Sequence, residues 1–394
     1  MYHQPHMQMR PPSPLRETVW RPRYSVAIPA RDEADVIERC LLALAMQDSP
    51  ERHEMGVLLL VNNTSDRTAA LARQLRPSLP YALRTVDVNF AQPDCHAGGA
   101  RRLAMDLADR WSGDLPGNVI LTTDADSCVA SNWLTTNLLA IDQGADAVAG
   151  HVEYGLENDI PVIRDGKALE ERYERLVAEI DARLDPVPHN PWPRHQTESG
   201  ASLAIRGEAY RLIGGLPNMA VGEDRGLCAA VVSHGLRLRH AVDVKVVTSA
   251  RLQGRASGGA AACLRLRYNK LQASCDDRLG TVSLTVRRAR LRHRLRQAWQ
   301  DGVLTVPVLA AYLKIPEEKA RELAAMPSFH ALWEDAVLVS TYLRGEGLQL
   351  AQLPQQIRRA KILLHVLRAR DKLRWIAAGD RGDIAGSGFA KAPA

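Results

Sequence analysis

Val119-Ile-Leu-Thr-Thr-Asp-Ala-Asp-Ser127 is an apolar run that ends in two carboxylates, Asp124 and Asp126. Val119, Ile120 and Leu121 read as a short buried strand, and side chains on a strand alternate with period two, so Asp124 and Asp126 emerge on the same side. Two anionic oxygen groups at the C-terminal edge of a strand suit a hard divalent cation that also grips phosphates. The plain alternative is a pair of turn-forming aspartates capping the strand. The surrounding residues decide between the two.

Upstream, Tyr24-Ser-Val-Ala-Ile-Pro29 reads as a first strand stopped at Pro29. Asp32 or Asp35 then caps a helix in which Val36, Ile37, Cys40, Leu41 and Leu44 keep helical spacing. Strand and helix go on alternating: strand Val57–Val61, helix Thr68–Leu75, strand Ala82–Val88, helix Ala100–Trp111, strand Val119–Thr123, helix Trp133–Ile141 and strand Ala147–Gly150. Alternation with strands apolar throughout is the mark of a parallel sheet covered on both faces. Ligands bind such sheets beyond the C-terminal strand ends. Arg31-Asp32-Glu33, Asn62-Asn63, and Asp124 with Asp126 should therefore line one edge.

After Gly150 come an amphipathic stretch, Glu170–Leu184, and the loop Pro186-Val-Pro-His-Asn-Pro-Trp-Pro-Arg-His195, which has the length of a binding loop or lid. Glu198–Arg206 reads as a strand and Glu208–Ile213 as a short helix ended by Gly214-Gly215. Gly222-Glu223-Asp224 precedes a helix over Leu227–His234, and Val242–Val247 is a further strand. From about residue 260 the pattern is helical: Leu284, Leu291, Leu295 and Trp299 share a face of a helix carrying Arg287, Arg288, Arg290, Arg292, Arg294 and Arg296. Pro316 with Glu317 and Glu318 starts another helix, and a last one spans Gln355–Ala377. The expected organisation is a flexible arm over 1–22, an α/β domain over 23–255, a helical region over 256–378 and a disordered tail over 379–394.

Composition narrows the classes. The 394 residues are 46% hydrophobic and 24% charged with a formal net charge of +6, which fits a globular protein with a large core. The positive excess gathers in the C-terminal third and implies no diffuse nucleic-acid field. Six scattered cysteines form neither a Cys-x-x-Cys pair nor a zinc spacing and fit reduced thiols of a cytosolic protein. Met1–Pro22 has no apolar h-region, and no apolar run reaches the length of a membrane span.

Together, Ser25-Val-Ala-Ile-Pro-Ala-Arg-Asp-Glu33, Val61-Asn-Asn-Thr-Ser-Asp-Arg-Thr68, Thr122–Ser127, Gly200-Ala-Ser-Leu-Ala-Ile-Arg206 and Gly222-Glu-Asp224 resemble, in order and spacing over about residues 24 to 250, glycosyltransferase family 2, the inverting GT-A enzymes. The resemblance implies a Rossmann-like mixed sheet, a Mn²⁺ or Mg²⁺ cofactor, and transfer from a nucleotide-diphospho-sugar to an acceptor hydroxyl. It further implies that Pro29, Arg31 and Glu33 lie at the nucleoside with Asn63 or Asn62, that Asp124 holds ribose or metal, and that Asp126 binds the metal. Asp224 is implied as catalytic base, and Glu223 shapes the acceptor pocket. Asn62-Asn63 stands where the family usually has acidic residues, and amides can both donate and accept, which permits a base other than uracil. The Gln-x-x-Arg-Trp signature of processive members is missing, which favours a single transfer, while Arg251 and Arg255 occupy a comparable place and can close over the diphosphate.

Other features carry less. Cys95-His-Ala-Gly-Gly-Ala-Arg101 puts two glycines before a helix, either a phosphate cradle that includes Arg101 or a tight helix entry. His189 and His195 can touch acceptor but read more simply as solvated loop residues, and Ser199 and Ser202 lack the partners of a hydrolase triad. The Arg287–Arg296 helix reads first as docked on its own domain, next as a contact with anionic membrane at the inner face, last as a nucleic-acid contact. A nucleotidyltransferase on a related sheet lacks its Gly-rich opening loop here. A lapsed nucleotide-sugar-binding or scaffolding protein is motivated by Asn62-Asn63, but has no need of the four carboxylates Asp124, Asp126, Glu223 and Asp224.

Overall fold

The structure, a computed structural model, describes residues 8–9, 20–155, 161–249 and 274–379. The chain divides into two compact units, residues 1–158 with 197–263, and 159–196 with 264–394. Residues 161–196, expected inside the 23–255 domain, thus cluster with the C-terminal helices. The tail after residue 379 and most of the 1–22 arm lie outside the described residues.

The first unit is built on a mixed sheet. Its strands are β1 (Gln8–Met9), β2 (Tyr24–Ala30), β3 (Met55–Asn62), β4 (Ala82–Asn89), β5 (Val119–Thr122), β6 (Cys128–Val129), β7 (Ala147–Tyr154), β8 (Leu203–Arg206) and β9 (Leu238–Thr248), in the order β1-β4-β3-β2-β5-β8-β7-β9-β6. Strands β4, β3, β2 and β5 run parallel, whereas β8 is antiparallel to both of its neighbours, β5 and β7. The fold is therefore α/β of the mixed GT-A kind that the resemblance implies, and not the wholly parallel sheet that periodicity suggests. Strand direction is set by where the chain re-enters: β7 ends at the edge where β8 begins, so no crossover reverses it. Both kinds of strand are buried on two faces and look alike in sequence.

Alternate residues feed two cores. Val26, Ile28, Val57, Leu59 and Val61 face α1 (Ile37–Ala45), α2 (Thr68–Leu75) and α4 (Trp133–Asp142). Ala27, Leu58, Leu60 and Ile120 face α3 (Ala97–Ser112), α6 (Gly207–Leu212) and α7 (Glu223–Ser233). Each fully buried Val, Leu or Ile side chain among these contributes roughly 1.5–3 kcal/mol.

Two local expectations are corrected, and the tight helix entry offered for the glycines near residue 98 agrees with the packing. Pro29 does not stop β2: it pairs with Leu60 of β3, while pairing with β5 has already ended at Ala27 and Thr122, so its missing N–H interrupts no ladder. Neither Asp32 nor Asp35 caps α1, whose N-cap is Val36 with no side-chain bond. Asp32 instead sits at φ 51° and accepts from the Ser65 N–H at 2.8 Å. Gly98 and Gly99, in the first turn of α3, serve a tight helix entry, because His96 caps the helix by accepting from Gly99 N–H and a Cβ on Gly98 would lie 2.0 Å from the Met219 carbonyl.

In the second unit, α5 (Pro161–Leu184) buries Tyr173, Val177, Ile180 and Leu184 against Val282, Ala289, Ile357, Ala360 and Leu364 of helices Val282–Gln300 and Leu353–Gly379. A further cluster joins Leu291 and Leu295 to Leu309, Leu323 and Trp333. The arginine run is largely consumed within this unit. Arg292 reaches both Asp181 (2.6 Å) and Asp185 (2.5 Å), Arg296 pairs with Asp185, and Arg287 and Arg288 donate to the carbonyls of Tyr342 and Leu343. Burial would raise the Asp181 pKa, but Arg292 and Arg194 outweigh it and hold that carboxyl below its usual range. Arg194 is itself buried on Asp181, so the Pro- and His-rich loop is pinned at its end. Among the described residues no helix is long and apolar enough to cross a membrane.

Candidate active site

The edge at the C-terminal ends of β2, β3 and β5 collects the residues that sequence reasoning singled out. At its centre lies Arg101 of α3, which is 5% exposed. Its guanidinium donates to Asp124 Oδ1 at 2.6 Å, Glu223 Oε1 at 3.2 Å, Thr122 Oγ1 at 3.0 Å and the Gly200 carbonyl at 2.8 Å. Burial would lower its pKa, but Asp124, Glu223 and Asp224 more than reverse this and keep the cation charged. A Cβ on Gly200 would lie 2.4 Å from the guanidinium carbon, so that turn must be glycine for the arginine to sit there.

Asp224 is fixed from two sides. Its Oδ2 accepts from Gly200 N–H at 3.1 Å and its Oδ1 from Arg225 N–H at 2.8 Å. Gly222, at φ 80°, makes the left-handed turn that starts α7 and carries Glu223 inward, 8% exposed. The motif after β5 and the Glu-Asp pair on α7 thus meet through one guanidinium.

Asp126 is half-buried, and its Oδ1 accepts from the Thr248 hydroxyl at 3.3 Å. Asp124, Asp126 and Glu33 all lie near enough to the buried Cys40 thiol to add to the burial and to Cys128 in raising its pKa. Among the described residues no three His, Cys, Asp or Glu side chains converge as a metal cage. A cation would rest on Asp126, with the Asp124 oxygen not engaged by Arg101, and take its remaining oxygens from phosphate and water, a set that fits Mg²⁺ or Mn²⁺.

The loop after β2 is tied to the loop after β3. Glu33 N–H donates to Thr68 Oγ1 at 2.8 Å and Ala34 N–H to Asp66 Oδ2 at 2.9 Å, while Arg31 is exposed and 4.0 Å from Asp32. Asn62 is buried at the end of β3. Asn63, at φ 46°, uses its amide on both backbone groups of Phe90, donating at 3.0 Å and accepting at 3.1 Å. Arg251 and Arg255 lie outside the described residues.

The family model described as glycosyl transferase family 2 matches residues 25–189 of this chain. Residues 25–189 are a glycosyl transferase family 2 domain. The chain is thereby a glycosyltransferase. The glycosyltransferase AglE of Haloferax volcanii is 29% identical over 232 residues, covering 51% of this chain and 69% of AglE. Among solved structures, the mannosyltransferase PcManGT from Pyrobaculum calidifontis, in complex with GDP-Man and Mn²⁺, aligns over 89% of this chain and 80% of its own at 19% identity and a TM-score of 0.44. TarS of S. aureus in complex with UDP-GlcNAc aligns over 81% and 90% at 14% identity and a TM-score of 0.45.

Within the family 2 domain, sequence reasoning missed the tethers that hold the site. Asp66 and Thr68 bracket the Asp32–Ala34 turn, and the Thr68 spacing after Asp66 is a helix-start signal that was legible. Thr248 beside Asp126 gave no local signal, since it arrives from a strand more than a hundred residues on.

Proposed function

We propose that the chain transfers a single sugar from a nucleotide-diphospho-sugar to an acceptor hydroxyl, with inversion and with a divalent cation. The observation that carries this reading is the Arg101 hub, which joins Asp124 and Glu223 beside Asp224 in one anionic site. Three carboxylates, Asp124, Glu223 and Asp224, act on one guanidinium, and Asp126 follows two residues after Asp124; such a site repels a bare diphosphate. A bound divalent cation would reverse that repulsion and act as Lewis acid and clamp for the leaving nucleoside diphosphate.

Asp224 is assigned as the general base that takes the acceptor hydroxyl's proton during attack at the anomeric carbon. Its hydrogen bonds from Gly200 and Arg225 N–H hold the carboxylate in place. Asp126 is assigned as metal ligand, and Asp124 as ribose or metal contact held by Arg101. Arg101, buried and fully engaged, is assigned to organising the site instead of to direct donor contact, and Glu223 to anchoring Arg101 beneath the acceptor. Because the Asn63 amide is bound to Phe90, the nucleoside contact falls to Glu33, with Pro29 and Arg31 beside it. Arg251 and Arg255 stay assigned to the diphosphate.

The test is thermal shift of the purified chain with UDP-, GDP-, dTDP- and CMP-sugars, with and without Mn²⁺ or Mg²⁺. A ligand that binds only the native state raises the melting temperature by mass action. A metal-dependent shift with one donor is expected, followed by product of inverted anomeric configuration by NMR. A donor shift unchanged by chelator, or a retained configuration, would overturn the metal or the inversion respectively.

A further inference from the structure

The helix Leu353–Gly379 carries two apolar stripes on opposite faces. One, with Leu353, Ile357, Ala360, Leu364 and Leu367, is buried in its own unit. The other, with Ile362, Val366, Ala369, Leu373 and Ile376, recurs at intervals of four, three, four and three and is exposed throughout. Ile362 is 70% exposed and Leu373 67%. From Lys372 to Ile376 every residue is exposed, including Trp375 at 71%, so the last turns project beyond the packed part of the unit.

Cations flank this stripe. Arg358, Lys361 and Lys372 border it on one side and Arg359 and Arg374 on the other, all exposed. The one acidic residue of the helix, Asp371, lies on the buried side and pairs with Arg183 and Arg370. We propose that this face of the C-terminal helix docks on an anionic lipid bilayer, the apolar stripe lying at the acyl boundary and the flanking Lys and Arg reaching the headgroups. Apolar side chains between two rows of long cations are what an interfacial helix needs. Heptad spacing alone would also fit a second copy of the chain, but pairing two such faces sets cations against cations along both flanks of the seam. The contact surface is therefore not the Arg287–Arg296 helix, where only Arg290 and Arg294 are exposed.

The full chain is sedimented with vesicles of phosphatidylcholine, and of phosphatidylcholine mixed with phosphatidylglycerol, at low and high salt. Binding is expected with the anionic vesicles only, falling as salt rises. Lys372→Glu with Arg374→Glu should weaken it by about tenfold or more, and Val366→Glu with Leu373→Glu should abolish it. Both variants should keep the melting temperature, since the four side chains are exposed. Arg290→Glu with Arg294→Glu should bind like the parent. No sedimentation at low salt, loss only in the Arg290/Arg294 variant, a lipid-independent dimer that Val366→Glu with Leu373→Glu disperses, or equal binding to a DNA duplex would each overturn the proposal.

Discussion

Arg101 and Glu223, 122 positions apart in sequence, form a buried ion pair, Nε to Oε1 3.2 Å, with both side chains at most one-tenth exposed. The same guanidinium holds Asp124 at 2.6 Å. One residue therefore sets the positions of two motifs that the family resemblance treats as separate.

Removing that cation leaves two carboxylates facing each other without compensation. Arg101→Met should destabilise the chain by about 3–5 kcal/mol, the usual cost of stranding a buried charge. Arg101→Lys, a compact ammonium that cannot fork to Asp124, Glu223 and Gly200 at once, should fold better yet transfer sugar at least about tenfold more slowly. Chemical denaturation and initial rates on both variants check this; a fully active Arg101→Met would remove the organising role.

Asp224→Asn keeps the shape and one acceptor for Gly200 N–H but cannot accept a proton. Its kcat should fall by roughly 10²–10⁴, while the thermal shift produced by donor and metal stays that of the parent. An equal loss of donor binding would point to a donor-side role instead.

Asp126→Ala should change the stability of the unliganded chain by no more than about 1 kcal/mol, because the carboxylate is only half-buried and its bond to the Thr248 hydroxyl is long. The metal-dependent part of the donor shift should vanish. Titration with Mn²⁺ followed by calorimetry measures it, and undiminished metal-linked donor binding would rule Asp126 out as ligand.

Asp185 is completely buried and receives Arg292, Arg296 and His293. Asp185→Ala should lower stability by about 3–5 kcal/mol and unfold the second unit first, readable by hydrogen exchange at helix Val282–Gln300. Parent-like exchange there would show that packing of Leu291 and Leu295 suffices.

Glu174 of α5 is raised to about 7 by burial first, then by Glu170 and Asp276, with Arg278 opposing. A folded pKa above the unfolded value of about 4.3 means that the unfolded chain releases its proton first. This group's contribution to stability therefore declines as pH rises from about 4.3 to about 7. Glu174→Gln should be more stable than the parent at pH 8, by up to about 3–4 kcal/mol, and should lose that advantage at pH 4. Equal pH profiles for the two would contradict the shift.

Much was legible in the chain itself. The strand and helix alternation over Tyr24 to Tyr154 follows from short apolar runs between helical spacings, and β3, β4 and α2 fall where the periodicity puts them. Asp124 and Asp126 announce themselves as two carboxylates just past an apolar strand, although β5 ends at Thr122 and both lie in the turn beyond it, where strand alternation no longer fixes their side. The residue type of Asn63 suggests base recognition, whereas its left-handed backbone and its bonds to Phe90 are visible only in the fold.

The sequence by itself determined the elements, the two faces of the sheet and which edge would gather the carboxylates, because these depend on periodicity within a few residues. Tertiary structure decided that β8 runs against its neighbours, that Arg101 unites Asp124 with Glu223, and that Arg292 and Arg296 are bound to Asp181 and Asp185. Those outcomes rest on charges and strands brought together from different elements, up to 122 residues apart. Coulombic pairing in a buried setting depends on distance in space, which local pattern does not encode.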